Sequence, residues 1–247
     1  MALDGKVALV TGGGRGLGAE MALAFAAAGA DVVLAGRRIE SCAAVAERIR
    51  AEHGRRALPV ACNVSHWEQC DALVEAAYAE FGRVDVLVNN AGSSPLYPSL
   101  AEVPEALFDK VIAVNLKGPF RLGALIGARM AAAGGGSIIN ISSIEATNPE
   151  PHAVPYAAAK AGLEALSGGL ARTYGPAVRV NTIRCGPFDT DIAAAWPDEL
   201  RAELERRSTL GRVGTPSEIV GAALYLADEA ASGFVTGAVL ALDGGWR

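Results

Sequence analysis

The sequence predicts a doubly wound α/β fold, one mainly parallel sheet of about seven strands with helices on both faces, built by residues 1–247 as a single domain. Three observations point there. Short apolar runs such as Val7-Ala8-Leu9-Val10-Thr11 alternate with longer helical stretches along the chain, and an unbroken apolar run of that length reads as a parallel strand buried on both faces. The first run breaks into a glycine-rich turn and then an alanine-rich helix. Finally, 51% hydrophobic residues and 29 glycines suit a large core with tight turns and close helix-to-sheet contact.

Taken in order, the strand at 7–11 passes into Thr11-Gly12-Gly13-Gly14-Arg15-Gly16-Leu17-Gly18 and a helix ending near Ala28-Gly29. Glycines there let the backbone turn sharply and approach a pyrophosphate, whose charge meets the free amides of the helix N-terminus. Gly12, Gly14, Arg15, Gly16, Leu17 and Gly18 are therefore candidate dinucleotide contacts. The second strand, Asp31 to Ala35, ends at Gly36-Arg37-Arg38. An acid at this strand end would bind the adenosine ribose and repel a 2'-phosphate; Gly36 stands there instead, and Arg37, Arg38 and Arg15 can converge on a phosphate. NADP(H) is expected in preference to NAD(H).

A helix from about Ile39 to His53 leads to a third strand, Ala57 to Ala61, with Asn63 and Val64 placed to meet the adenine edge. Another helix, roughly His66 to Phe81, precedes the strand Val84 to Val88 and the turn Asn89-Asn90-Ala91-Gly92, where small residues again permit close approach of a cofactor. A long helical stretch follows from Pro104 to about Ala133. The apolar run Ser137 to Ile141 then presents Ser143 at a strand end, its hydroxyl free for a substrate oxygen.

Tyr156 and Lys160, four apart on a helix, share one face. A phenol ordinarily titrates near ~10, so holding it as phenolate near pH 8 needs roughly 2.7 kcal/mol. One ammonium at about 4 Å supplies ~4 kcal/mol at an effective dielectric near 20. Lys160 alone is expected to activate Tyr156.

The formal net charge of -5 gives no electrostatic support for a nucleic-acid partner. No apolar run reaches the ~18 residues of a membrane span, and the first residues lead directly into a strand, so a cytoplasmic address without membrane association is expected. Cys42, Cys62, Cys70 and Cys185 lack metal-site or redox-pair spacing. They are expected as reduced thiols, and no metal is expected.

Together, Thr-Gly-x-x-x-Gly-x-Gly at 11–18, Asn-Asn-Ala-Gly at 89–92, Ser143 and Tyr-x-x-x-Lys at 156–160 resemble the short-chain dehydrogenase/reductase family, in order and spacing, over essentially the whole chain. The resemblance implies a Rossmann-type fold and hydride transfer between nicotinamide C4 and a carbonyl or secondary alcohol carbon. It implies Asn115, Ser143, Tyr156 and Lys160 as the catalytic set. Ser143 and Tyr156 would hold the substrate oxygen, Tyr156 acting as acid and base. Lys160 would bind the nicotinamide ribose, and the Asn115 carbonyl would hold a relay water. Asn90, Ala91, Gly92, Gly186 and Thr190 become further cofactor contacts, with Thr190 expected at the nicotinamide carboxamide. Where the family has Pro-Gly the chain has Cys185-Gly186, which should loosen the turn after the sixth strand. Self-association is implied as well: a dimer through the helix at 104–133 and the Tyr156 helix, completed to a homotetramer by Val235 to Trp246.

Substrate identity is open. A lid is expected at about 188–207, and Ser94, Glu145, His152, Phe188 and Trp196 could face it. A 3-oxoacyl thioester on acyl carrier protein would need a basic docking surface, for which the neutral Ala131 to Gly136 connection offers nothing. Glu145 and His152 suit a sugar or polyol; Leu96, Phe188 and Trp196 suit a steroid or other hydrophobic ketone. The alternative outside enzymology is a catalytically silent dinucleotide-binding regulator.

Overall fold

Residues 1–190, 193 and 196–246 are described by the computed structural model. The elements run β1 (Val7–Thr11), α1 (Gly16–Ala27), β2 (Asp31–Gly36), α2 (Ile39–His53), β3 (Ala57–Ala61), α3 (Trp67–Phe81) and β4 (Val86–Asn89). There follow α4 (Glu105–Ile112), α5 (Gly118–Ala132), β5 (Gly136–Ser143), α6 (Val154–Tyr174) and β6 (Val178–Cys185). The order closes with α7 (Asp198–Arg207), α8 (Ile219–Ala227), α9 (Glu229–Ser232) and β7 (Val239–Leu242).

The strands form one seven-stranded sheet in the order β3-β2-β1-β4-β5-β6-β7. Every strand pair is parallel. Because side chains alternate along a strand, the buried runs feed two apolar layers. Ala8, Val10, Leu34, Val88, Ile139 and Ile183 pack under α1, α2 and α8. Leu9, Val33, Leu87, Ile138 and Val180 pack under α3, α5 and α6. The order of strands reverses direction between β1 and β4, which opens the crevice at their carboxyl ends.

Two boundaries move from the expected places. β4 begins at Val86, because the buried Asp85 carboxylate is taken up by the Val7 N–H at 2.9 Å and by Arg83. β5 runs on through Ser143, since the β6 register continues to pair Ser143 with Cys185.

The stretch expected as one helix is helical throughout but contains a π-turn, Ala113–Lys117, between α4 and α5. Residues 105–132 are long and apolar enough in aggregate to cross a membrane. They nevertheless bury Leu122, Ile126 and Met130 against the sheet, as a core helix does.

The loosened turn expected after β6 is not found. Cys185 is still paired on both sides, with Ser143 and Leu242, and the Gly186 N–H donates to the Leu242 carbonyl at 3.0 Å. A Cβ on Gly186 would lie 2.7 Å from the Asp243 Cα, so β7 and its following turn clamp the position. Pairing with β7 supplies the constraint expected from proline.

Candidate active site

The glycine turn is built by packing as much as by backbone freedom. Gly12 has φ +67°, a left-handed conformation that residues with a Cβ rarely adopt, and the Gly12 N–H donates to the Ala35 carbonyl at 2.7 Å. A Cβ on Gly18 would fall 2.2 Å from the Gly12 carbonyl oxygen, and one on Gly14 would fall 2.9 Å from the Ser41 Cβ. The turn thus lies flat between β1, β4 and the start of α2. Arg15 caps α1 without a side-chain hydrogen bond, so the first-turn amides stay open to an anion.

Thr11 organises the opposite wall. Its Oγ1 accepts hydrogen bonds from Asn90 N at 3.0 Å and Ala91 N at 3.1 Å and donates to the Val88 carbonyl at 3.2 Å. Asn90 Nδ2 returns a bond to the Thr11 carbonyl at 2.8 Å. The ends of β1 and β4 are thereby stitched together under one cleft of about 900 Å³.

That cleft brings together Gly12, Gly14, Arg15, Gly16, Leu17, Arg37, Arg38, Asn63, Val64, Asn90, Ala91, Gly92, Gly186 and Thr190, with Ser143, Tyr156 and Lys160. Gly18 and Asn115 stand behind its wall rather than on it. Asn115 is fully buried in the π-turn, its Nδ2 donating to the Ser93 and Val111 carbonyls at 2.8 and 2.9 Å and its Oδ1 accepting from Ser93 N at 3.2 Å. All of its side-chain capacity is directed at structure, which leaves only its backbone for other work.

Among the described residues lining the cleft, the charged ones are Arg15, Arg37, Arg38, Lys110 and Lys160, and none is acidic. Arg15, Arg37 and Arg38 are exposed and, among the described residues, have no carboxylate partner. Many of the chain's other arginines do, including Arg55 with Asp31 and Arg121 with Asp71. A chain of net charge -5 has concentrated unpaired cations here.

Lys160 is 3% exposed and its Nζ donates to the Ile141 carbonyl at 2.7 Å. Burial pushes its pKa down to about 8, with nearby Cys185 opposing. Burial likewise pushes the Tyr156 phenol up to about 12; Ser143 pulls it down, and Cys185 and Glu145 push it further up. Lys160 is not among the groups that lower the Tyr156 pKa in this arrangement, contrary to the expectation. The ammonium is turned to the Ile141 carbonyl and lies 5.5 Å from the Tyr156 ring centroid, so desolvation dominates both groups.

Of the expected substrate contacts, Ser94, Phe188 and Trp196 line the cleft. Glu145 and His152 do not. Glu145 sits in a short 3-10 turn, Ile144–Ala146, where its half-buried carboxylate accepts from Glu150 N at 2.8 Å. Desolvation raises its pKa, against that hydrogen bond. His152 is exposed on the loop before α6, and Leu96 is exposed as well. Phe188 is buried and closes on Gly214, with Asp189 N donating to the Gly214 carbonyl at 2.8 Å. The expected lid includes α7, whose Arg201 reaches Asp189 at 2.8 Å and whose Arg207 pairs with Glu150. Positions 191, 192, 194 and 195 of that segment lie outside the described residues.

Sequence reasoning missed Ser41, Cys42, Cys62, Ser65, Lys110 and Val114 as cleft residues. A signal existed for two of them: Lys110 and Val114 are four apart, one helical turn, just before Asn115.

A glycine turn opening onto a free helix N-terminus at the switch point of a parallel sheet, beside a serine, a tyrosine and a buried lysine, defines a dinucleotide-dependent oxidoreductase. A family model described as enoyl-(acyl carrier protein) reductase matches residues 12–247. The chain is 40% identical over 242 residues to cis-4-hydroxycyclohexanecarboxylate dehydrogenase of Sinomonas cyclohexanicum, covering 98% of this chain and 96% of that one. Among solved structures, 7α-hydroxysteroid dehydrogenase complexed with NADH and 7-oxo glycochenodeoxycholic acid superposes with a TM-score of 0.93 at 34% identity, over 99% of this chain and 95% of that one. NADPH-dependent 3-quinuclidinone reductase from Rhodotorula rubra gives a TM-score of 0.93 at 33% identity, over 98% and 91%. The chain belongs to the short-chain dehydrogenase/reductase family. It is an NAD(P)-dependent oxidoreductase acting on CH–OH and C=O groups.

Proposed function

We propose that this enzyme prefers NADP(H) and interconverts a compact, largely apolar ketone and its secondary alcohol. The observation that carries the cofactor preference is the cleft's charge: Arg15, Arg37 and Arg38 are unpaired around Gly36, and no acid among the described lining residues would repel a phosphate. The glycine turn fits a dinucleotide, since side chains at 14 or 18 would strike α2 or the Gly12 carbonyl and break the turn that leaves the helix N-terminus open. Gly12, Gly14, Gly16 and Leu17 would hold the pyrophosphate, Asn63 and Val64 the adenine, and Asn90 to Gly92, Gly186 and Thr190 the nicotinamide half.

The bound cofactor supplies or accepts the hydride. Ser143 and Tyr156 hold the substrate oxygen, and Tyr156 delivers its proton in reduction or removes one in oxidation. Lys160 holds the nicotinamide ribose, and a water on the Asn115 carbonyl returns the proton. Pro187, Phe188 and Trp196 form the apolar substrate wall, whereas the Glu145 carboxylate is spent on Glu150 N and His152 does not line the cleft. Relatives are named for a hydroxycyclohexane acid, a steroid and quinuclidinone but also for D-threitol and 3-oxoacyl thioesters, so the apolar wall is what carries this choice.

For assembly we read a homotetramer. Val239 and Leu240 on the edge strand β7, Phe234 before it, and Phe108 and Phe120 on α4 and α5 are exposed large apolar residues available to further copies.

The test is the affinity of NADPH and NADH for the parent and for Arg37→Ala. One charge-assisted hydrogen bond is worth roughly 1.5–3 kcal/mol, so NADPH should bind about ten- to a hundredfold more weakly in the variant, with NADH unchanged. Tighter NADH binding by the parent, or equal losses for both, defeats the phosphate reading. A panel of cyclic ketones and polyols, with both cofactors, tests the substrate class; polyol turnover exceeding that of every cyclic ketone would reverse it.

A further inference from the structure

Two of the four cysteines meet. Cys62 follows β3 and Cys70 lies in the first turn of α3, and both are buried and outside any disulfide. Cys62 Sγ is 3.5 Å from the carbonyl of Gln69, the residue before Cys70. Cys70 Sγ is 3.4 Å from the carbonyl of Val64, two residues after Cys62. Each thiol therefore donates its S–H to the backbone that carries the other.

The segment between them is also the cleft wall. Cys62, Asn63, Val64 and Ser65 all line it. Asn63 N donates to Gln69 Oε1 at 2.8 Å, and Asn63 Oδ1 accepts from Ser65 N at 3.2 Å and from Ser65 Oγ at 2.9 Å. Anything that draws Cys62 and Cys70 together must shift this knot of hydrogen bonds, and with it Asn63. Cys62 lines the cleft and Cys70 lies fully buried behind it, so a small oxidant meets the Cys62 sulfur first, through the space a dinucleotide would occupy.

We propose that Cys62 and Cys70 are an oxidisable dithiol: a peroxide entering the cleft converts them to a disulfide, and the disulfide weakens dinucleotide binding. The step balances. Cys62 loses its proton to water at the cleft, and its thiolate then attacks the peroxide. The O–O bond breaks, an S–OH forms on Cys62, and the departing hydroxide leaves as water. Cys70 next attacks the Cys62 sulfur, an S–S bond forms, the S–O bond breaks and a second water leaves. Two thiols are oxidised and one peroxide is reduced to two waters.

Linkage gives the converse: if the disulfide weakens cofactor binding, bound cofactor must oppose the disulfide. The binding part rests on the reading that adenine lies against Asn63 and Val64; the cross-link itself does not.

The experiment treats the full chain, free of cofactor, with hydrogen peroxide. The expected product has lost about 2 Da and yields a peptide joining Cys62 to Cys70, reversed by a thiol reductant. Losing the Asn63 contact corresponds to about tenfold weaker NADPH binding, at ~1.4 kcal/mol for one hydrogen bond. NADPH added first should slow the mass loss. In Cys70→Ala the mass loss should vanish; should that variant not fold, peptide mapping of the parent decides alone. Recovery of all four thiols after peroxide, or a cross-link between other cysteines, overturns the site. A Cys62–Cys70 cross-link with unchanged NADPH affinity overturns the control of binding. Failure of the reduced protein to bind NADPH would count against the cofactor reading, and would be seen before any oxidant is added.

Discussion

Replacing Lys160 by Met should make the cofactor-free protein more stable at pH 7 while removing its function. The ammonium is 3% exposed and its proton affinity has fallen from an ordinary 10.5 to about 8 through desolvation. At ~1.4 kcal/mol per decade that fall corresponds to about 3 kcal/mol of destabilisation whenever the lysine is charged. Its hydrogen bond to the Ile141 carbonyl, 2.7 Å long, offsets about 1 kcal/mol on removal, so the net gain should be about 2 kcal/mol. Methionine keeps the volume of the stem and leaves little cavity. The sign with pH follows from proton counting. Between about 8 and 10.5 the unfolded state holds a proton on Lys160 that the folded state has released, so this residue's contribution to stability rises with pH across that window. Below pH 8 the penalty is fully present. The advantage of Lys160→Met should therefore be largest at neutral pH and disappear by about pH 10.5. Urea unfolding of parent and variant at pH 7 and pH 10.5, compared as a difference, removes the opposing contributions of Tyr156 and Cys185. A variant less stable than the parent at pH 7, or a difference that ignores pH, would refute the claim that burial sets the state of this lysine.

Tyr156→Phe should lower turnover by about 10²–10⁴-fold, the usual contribution of a positioned proton donor, while isothermal titration finds NADPH affinity within a few fold of the parent. Retention of a tenth of the activity would show that another group moves the proton. Gly36→Asp, the obvious route to NADH preference, should destabilise the protein, because the new Cβ would lie 2.9 Å from the buried Cys42 Sγ. Adding Cys42→Ala should restore the thermal midpoint, and then the preference can reverse; equal midpoints for the single and double variants would show that the thiol simply turns aside. Light scattering should give about four times 25.3 kDa, and Leu240→Arg on β7 should reduce it to a dimer. A monomeric parent at micromolar concentration would remove the assembly reading.

Where chemistry depends on spacing within one element, the residues alone sufficed. The glycine turn from Thr11 to Gly18 is legible because its constraints are local, and Tyr156 and Lys160 share a face because four residues make about one helical turn. The unpaired arginines after β2 follow from strand-end placement in the same way. Their freedom from carboxylates, however, depends on which acids the fold brings near. Tertiary structure decided what depends on surroundings. The sequence reading gave Lys160 the task of lowering the Tyr156 pKa by treating both groups as though an effective dielectric were uniform. In the folded chain, α6 packs onto β5 and β6, and desolvation drives the phenol and the ammonium each toward its neutral form. Glu145 stood near Ser143 in sequence, yet its carboxylate is spent on Glu150 N, whereas Lys110, thirty-three residues before Ser143, lines the same cleft. Cys62 and Cys70 carry no motif at all, since a spacing of eight says nothing until β3 ends and α3 begins between them. Cys185 was expected to loosen a turn because proline is a local constraint; β7, more than fifty residues later, supplies the restraint through hydrogen bonds that no local pattern encodes. Short-range geometry is written in spacing, but burial and partnership are properties of the whole packed sheet.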